Sequence, residues 1–419
     1  MESTLLSRVR SMSVLGPAWR VIHENGNSSH SPETRREVAA FAENAEENLT
    51  RIQRQLNKNA FVFMPSRGIP IEKKGKGGKR PLVVAPVESR IVQRAILEVL
   101  LSVPEIRGYA ENPYSFGGVR KKHGKQIAGV PAAVEAVLGA IEAGAKFAIR
   151  SDISTFFTKI SKPFVTSIVE RATQDPPFVE LFKEAITVEL ENLAELQQDA
   201  DLFPLYEVGV AQGCSLSPLL GNLLLSRFDE QMNLGACRCF RYVDDFLILA
   251  PDGVAAESQF SLGVAILKSL GLRISSEKTV KGKVGNGFEF LGIELNNGIV
   301  RPSKESRKRF LTRAHKTLQL SVVGFRAAER ARQLSPRLSL VRTFTEVSGI
   351  VQGWGKQYFF CNDRNLLSQL DHKLDSMIRG YLGAYSAVSK TADRELRRQL
   401  LGVPLLEKLP SRPFGWRAA

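Results

Sequence analysis

The chain has 419 residues, enough for two or three packed lobes around a large shared core. Its 43% hydrophobic and 24% charged content is that of an ordinary soluble globular protein, and no uninterrupted apolar run is long enough to span a membrane. A formal net charge of +15 and a pI near 9.7 call for an anionic partner, nucleic acid before membrane.

Residues 1–60 read as a helical N-terminal extension. Ser31-Pro32-Glu33 is a helix start, with proline following a serine cap. Val38, Phe41, Ala45, Leu49, Ile52 and Leu56 then recur near the helical period. Asn25-Gly26-Asn27-Ser28-Ser29 before them reads as a loop. Arg8 and Arg10 come without an apolar h-region or a small-residue cleavage site, so a cytoplasmic protein is expected.

Phe61-Val62-Phe63 and Pro81-Leu82-Val83-Val84-Ala85-Pro86 read as two strands. Between them, Glu72-Lys73-Lys74-Gly75-Lys76-Gly77-Gly78-Lys79-Arg80 is a basic hairpin tip that can reach a triphosphate or a template backbone. Pro113-Tyr114-Ser115-Phe116-Gly117-Gly118-Val119-Arg120 follows, and Lys121, Lys122 and Lys125 extend the basic surface. In Phe147-Ala148-Ile149-Arg150-Ser151-Asp152-Ile153-Ser154-Thr155-Phe156-Phe157, apolar residues lead to one acid at a strand end and then to an aromatic pair. Residues 163–202 are acidic and amphipathic, and are expected to form helices behind the sheet, away from nucleic acid.

Gly209-Val210-Ala211-Gln212-Gly213-Cys214-Ser215-Leu216-Ser217-Pro218 is a glycine turn into a helix. Gly213 permits a close backbone approach at this turn, and Gln212 beside it offers a side-chain amide. Cys214, Cys237, Cys239 and Cys361 form no zinc-type pair of pairs, so buried thiols in a reducing compartment are expected. In Phe240-Arg241-Tyr242-Val243-Asp244-Asp245-Phe246-Leu247-Ile248-Leu249-Ala250, two acids lie between apolar runs, the pattern of a hairpin with the pair at its turn. Two carboxylates on a rigid base suit hard Mg²⁺ ions, which take oxygen ligands and leave room for substrate phosphates. Asp152 adds a third carboxylate only if its strand lies in the same sheet.

A helix is expected to end at Gly271, and Phe288–Leu295 reads as one strand. From Arg301 onward 23 Lys and Arg stand against 9 Asp and Glu in a helical pattern, with Gly353-Trp354-Gly355-Lys356-Gln357-Tyr358 in its middle. A basic helical lobe of this kind can grip a duplex through its phosphates.

Tyr242-Val243-Asp244-Asp245 between hydrophobic strands resembles the catalytic box of reverse transcriptases. The other boxes follow in order, over roughly residues 61 to 385. Arg80-Pro81-Leu82 with Pro86-Val87-Glu88-Ser89-Arg90-Ile91-Val92-Gln93-Arg94-Ala95 is similar to the fingers of group II intron-type enzymes. Gln212-Gly213 before Ser215-Leu216-Ser217-Pro218 is similar to the second palm motif, and Leu272–Thr279 to the box after the hairpin. The resemblance implies an α+β right-hand polymerase, with fingers and palm of antiparallel sheet plus helices and an α-helical thumb. Its expected divisions are 1–60 extension, 61–150 fingers, 151–300 palm, and 301–419 basic thumb and tail.

The resemblance also implies roles. Asp152, Asp244, Asp245 and the backbone of Ile153 hold two Mg²⁺ ions, with Mn²⁺ as a substitute. Lys278 is the candidate proton donor to the departing pyrophosphate. Lys79, Arg80, Gln212 and Gly213 contact the incoming nucleotide, and Phe157 closes against the sugar 2′ position, favouring dNTPs. Arg120, Lys121, Lys122, Tyr242 and Trp354 contact nucleic acid, and the strand from Phe288 resembles the primer grip.

The implied activity is RNA-directed DNA polymerisation, and the preferred type is a stand-alone bacterial antiphage-defence enzyme. It would copy a dedicated structured noncoding RNA into DNA from dNTPs, without a membrane partner and with protein partners left open. Alternatives are a group II intron maturase acting as splicing cofactor, or a retron enzyme, whose Val-Thr-Gly thumb signal is absent. No Cys/His endonuclease module and no ribonuclease H domain are expected in the final residues.

Overall fold

The computed structural model describes residues 4–73, 77–118 and 129–409. Lys74, Lys76, Arg120, Lys121, Lys122 and Lys125 lie outside the described residues. Two compact units divide the chain, one ending at Val284 and one beginning at Gly285.

The first unit opens with α1 (Leu5–Val9), α2 (Met12–Asn27), α3 (Pro32–Glu43) and α4 (Ala45–Asn57). As the sequence suggests, the Ser31 hydroxyl accepts the Thr34 N–H and Pro32 occupies the first turn of α3. The loop expected at Asn25–Ser29 is shorter than its composition implied, because α2 runs on to Asn27. Packing is the reason. A Cβ at Gly26 would lie 2.5 Å from Val38 Cγ2, so the close approach of α2 and α3 needs a glycine there.

Next come β1 (Arg67–Glu72) and β2 (Lys79–Val84), an antiparallel pair with Glu72 opposite Lys79. The strand expected at Phe61–Phe63 is not formed. Phe61 is buried edge-on to Phe63, with ring centres 5.1 Å apart, and the ladder partner of β2 lies six residues further on. Burying the Phe61 ring against a half-buried Phe63 outweighs a short edge ladder here. Then α5 (Val87–Leu100) packs against α2, with Ile91, Val92, Ala95, Ile96 and Leu100 fully buried. After it come α6 (Pro104–Ala110) and α7 (Val130–Glu142).

The central sheet is built from β3 (Phe147–Asp152) and three later strands. Between them lie α8 (Lys162–Thr173), α9 (Pro176–Ile186), α10 (Leu193–Leu196) and α11 (Ser217–Gln231). There follow β4 (Arg238–Tyr242), β5 (Asp245–Ala250), α12 (Gly253–Ser269) and β6 (Val280–Lys283). The order is β4-β5-β3-β6, antiparallel throughout. Paired on both edges, β5 is buried from Phe246 to Ala250, which explains its unbroken apolar run. Phe228 of α11 meets Phe246 edge-on at 5.5 Å, and α12 packs on β3 and β5.

The acidic segment supplies core through Ile168, Val169, Phe178, Phe182 and Ile186, as its periodicity suggests. Its end does not stay away from the basic hairpin. Asn192 exchanges two hydrogen bonds with the Gly68 backbone, at 2.9 and 3.0 Å, and Asp199 accepts from Lys79 Nζ at 2.7 Å. Val83, Val188, Leu196 and Phe203 bury the junction, and that apolar contact holds the segment in place while the screened ion pair adds little.

The second unit begins with β7 (Phe288–Phe290), β8 (Ile293–Asn296) and β9 (Ile299–Pro302), an antiparallel meander. The single strand expected over 288–295 is thus a hairpin. Leu291 and Gly292 both have positive φ, 52° and 76°, and turn the chain between Phe290 and Ile293. The unit therefore carries three strands ahead of its helices. Its helices are α13 (Lys304–Ala331), α14 (Leu340–Gln357), α15 (Arg364–Thr391) and α16 (Arg394–Leu401). Asn362, between α14 and α15, binds the Val300 backbone through its own N–H at 2.9 Å and its side-chain oxygen at 2.8 Å. Leu318, Phe325, Ala328, Tyr381, Leu396 and Leu400 fill the core between these helices. No helix among the described residues is long and apolar enough to cross a membrane.

Candidate active site

Register brings the acids together. In the β3–β5 ladder Asp152 lies opposite Asp245, and in the β4–β5 ladder Asp245 lies opposite Tyr242. Val243 and Asp244 are left as a two-residue hairpin loop. Val243 has a φ of 60°, an outlier for a β-branched side chain that costs on the order of 1–2 kcal/mol. The Asp244 carbonyl accepts the Ile153 N–H at 2.9 Å, pinning the loop to the end of β3. Carboxylate oxygens of Asp152, Asp244 and Asp245 come within 4.8 Å of one another.

Asp152 is buried, and its two partners are half-buried. Burial first, and then the Asp152 charge, raises the Asp244 carboxyl above its ordinary value. Burial, then Asp244 and Asp152, pushes Asp245 up to about 7, with Lys278 and Arg150 opposing. Lys278 Nζ donates to Asp152 Oδ2 at 2.6 Å. Three mutually repelling carboxylates, all oxygen donors, fit hard divalent cations such as Mg²⁺ or Mn²⁺.

The remaining expected residues surround this cluster unevenly. Arg80 is exposed on β2 and close enough to Asp244 to favour its charged form. Lys79, one residue earlier, is held by Asp199. The Gln212 carbonyl accepts the Val83 N–H at 2.8 Å. Gly213 has a φ of 116°, and a Cβ there would lie 2.8 Å from the Val83 carbonyl. What this glycine admits here is the strand β2 itself. Phe157 is half-buried, its ring 5.4 Å from that of Phe156. Trp354, in the second unit, stacks on Phe310 at 4.5 Å and its ring nitrogen donates to Ser306 at 3.4 Å, so its visible contacts are packing contacts. Arg120, Lys121 and Lys122 lie outside the described residues.

Sequence reasoning missed Asp199 and a buried group beneath the turn made by Arg241, Asp229 and Asn222. A signal existed for the second. Cys237, Cys239 and Arg241 alternate on one face of a strand, and a guanidinium on a buried face needs a buried acid. All four cysteines are free, and burial raises the thiol of Cys214 to about 11 and that of Cys361 to about 12.

The family described as reverse transcriptase (RNA-dependent DNA polymerase) matches residues 71–295, more than half of the chain. The chain belongs to the reverse transcriptase family. Every carboxylate of the cluster, Lys278, Gln212 and Arg80 fall inside the matched residues, and Trp354 falls outside them. Among curated relatives, Protein YkfC of Escherichia coli (strain K12) is 25% identical over 277 residues, 58% of this chain and 69% of that protein. An uncharacterized 91 kDa protein in a cob intron of Schizosaccharomyces pombe is 26% identical over 182 residues, 43% of this chain and 20% of that protein. A chain of a partial Cas6-RT-Cas1–Cas2 complex is 21% identical with a TM-score of 0.36, covering 60% of this chain and 39% of that one. The chain thus spans well under half of two of these three proteins. The structural likeness is too low to add to the family match.

Proposed function

We propose that this reverse transcriptase adds dNTPs to a primer 3′-hydroxyl on an RNA template, at the cluster of Asp152, Asp244 and Asp245. One observation carries the reading: Asp152 stands opposite Asp245 across the ladder, with Asp244 beside it in a strained two-residue loop. Two Mg²⁺ ions bound there would lower the pKa of the primer hydroxyl and screen the departing pyrophosphate.

The chain's own groups do the rest. Asp152, Asp244 and Asp245 supply the ligand oxygens, with the Ile153 backbone alongside. Lys278, which donates to Asp152, would give a proton to the leaving group. Arg80 and Lys79 neutralise the triphosphate, Gln212 and Gly213 border the nucleotide, and the Phe157 ring excludes a 2′-hydroxyl. Tyr242 and the basic second unit hold nucleic acid, with Trp354 as a packing anchor of that unit.

The finer reading is a bacterial enzyme of the stand-alone antiphage-defence type, working in the cytoplasm on a dedicated noncoding RNA. The match to an Escherichia coli protein supports a bacterial enzyme, and the defence role is our own extension of that. A second reading, a maturase that binds intron RNA, is favoured by the match to a protein in a cob intron. The two separate by sequencing the RNA and DNA that copurify with wild type and Asp244→Ala. One defined RNA in both, with complementary DNA only in wild type, supports the polymerase with a dedicated template. Intron RNA in both, with no DNA, moves the reading to the maturase.

A further inference from the structure

We propose that Arg241 is a positioning residue that holds the Val243–Asp244 loop in its metal-binding shape, acting through the Val243 carbonyl. This rests on the polymerase reading above.

The side chain of Arg241 is fully buried, one residue before Tyr242. Its Nε donates to Asp229 Oδ1 at 2.7 Å and its Nη2 to Asp229 Oδ2 at 2.5 Å, a two-point pairing that fixes the guanidinium plane. The same Nη2 reaches Asn222 Oδ1 at 3.1 Å. With the plane fixed, Nη1 points at the Val243 carbonyl oxygen, 2.9 Å away. Asp229 and Asn222 both lie on α11, so the strained residue is tied to the helix behind the sheet rather than only to its own hairpin.

The other side of the loop is closed by a different segment. Arg241 N–H donates to the Tyr114 carbonyl at 2.8 Å and the Phe116 N–H donates to the Arg241 carbonyl at 2.9 Å. Ser115 Oγ donates to Asn222 Oδ1, and Asn112 Nδ2 to Asp229 Oδ2, each at 3.1 Å. A Cβ on Gly117 would meet the Val243 backbone nitrogen at 2.5 Å. Val243 is therefore held between a guanidinium and a backbone wall.

Asp229 pairs with the Arg241 charge, so the effect on the carboxylates is one of shape more than of field. That separates arginine from lysine. An ammonium can pair with Asp229 but has no rigid fork to reach the Val243 carbonyl as well. Partners that orient metal ligands change affinity by about 10- to 100-fold when removed.

The test is Mn²⁺ binding by calorimetry and by the electron paramagnetic resonance of bound Mn²⁺, with thermal melting as the control for folding. Wild type and Asp244→Ala establish the site. Arg241→Lys is expected to fold and to bind Mn²⁺ about ten-fold more weakly, with synthesis restored by raised Mn²⁺. Asn222→Ala, which loosens the guanidinium without removing its charge, is expected to weaken binding in the same direction by a smaller factor, and it decides the matter if Arg241→Lys does not fold. Wild-type Mn²⁺ affinity in either folded variant overturns the proposal. Mn²⁺ binding that Asp244→Ala leaves intact overturns instead the metal site on which the polymerase reading rests.

Discussion

Asp152 and Asp245 are the final cross-strand pair of the β3–β5 ladder, two carboxylates set directly opposite each other at the end of a buried sheet. Like charges so placed destabilise a sheet. Without metal the fold carries that repulsion, and a divalent cation bound between the carboxylates would relieve it. Above about pH 7, where Asp245 is ionised, Asp245→Asn should therefore stabilise the metal-free protein, by about 1 kcal/mol, while reducing synthesis to background. Thermal melting in EDTA and a primer-extension assay check the two halves. A variant that is less stable than wild type without metal contradicts the account.

Burial, and then the same repulsion, sets a pH dependence. Asp245 is pushed up to about 7 in the fold, above its ordinary value of 3.8. Between those values the native state binds more proton than the unfolded one, so this group's contribution to stability falls as pH rises and levels off above about 7. Cation binding must displace that proton. The melting temperature of wild type relative to Asp245→Asn should fall from pH 4.5 to about 7.5 in EDTA, and Mg²⁺ should raise the wild-type melting temperature more at pH 8 than at pH 5. A wild-type advantage that grows with pH in EDTA would reverse the sign.

Asp199 holds Lys79, an expected triphosphate contact, at 2.7 Å. Both side chains are partly exposed, so solvent screens the pair and it contributes little to stability. If the carboxylate competes with the triphosphate for the ammonium, Asp199→Asn lowers the KM for dNTPs by about two- to five-fold with an unchanged melting temperature. A higher KM would mean that Asp199 orients Lys79 for the nucleotide instead.

Phe157 follows Asp152 by five residues and is half-buried against Phe156. Phe157→Ala should admit rNTPs, raising their incorporation relative to dNTPs by at least about ten-fold, the cost of losing a steric rejection of about 1.4 kcal/mol. Single-nucleotide extension with paired dNTP and rNTP measures it. Unchanged sugar selectivity removes Phe157 from the nucleotide site.

The acids were legible because strand periodicity and the Asp-Asp turn are local signals, and the order of motifs placed Asp152 beside them. The strands expected around Phe61 and Phe288 differ from the structure for different reasons. Phe61 and Phe63 have strand-like side chains, but their rings pack as a pair, and pattern alone does not tell core from ladder. Phe288–Leu295 carried its own correction in Gly292, a turn residue inside an apolar run. Composition alone points to a loop at Asn25–Ser29, whereas the contact of Gly26 with Val38 is tertiary. Asp199 and Asp229 were invisible because each is defined by a partner, Lys79 or Arg241, that only the fold brings near.

The most direct measurement is primer extension on a defined RNA template, with dNTPs and Mg²⁺, comparing wild type with Asp244→Ala. The account predicts template-complementary DNA from wild type and none from the variant, which melts as a folded protein and still binds the RNA. Equal synthesis by both proteins, or none by wild type with any primer and either Mg²⁺ or Mn²⁺, would contradict it.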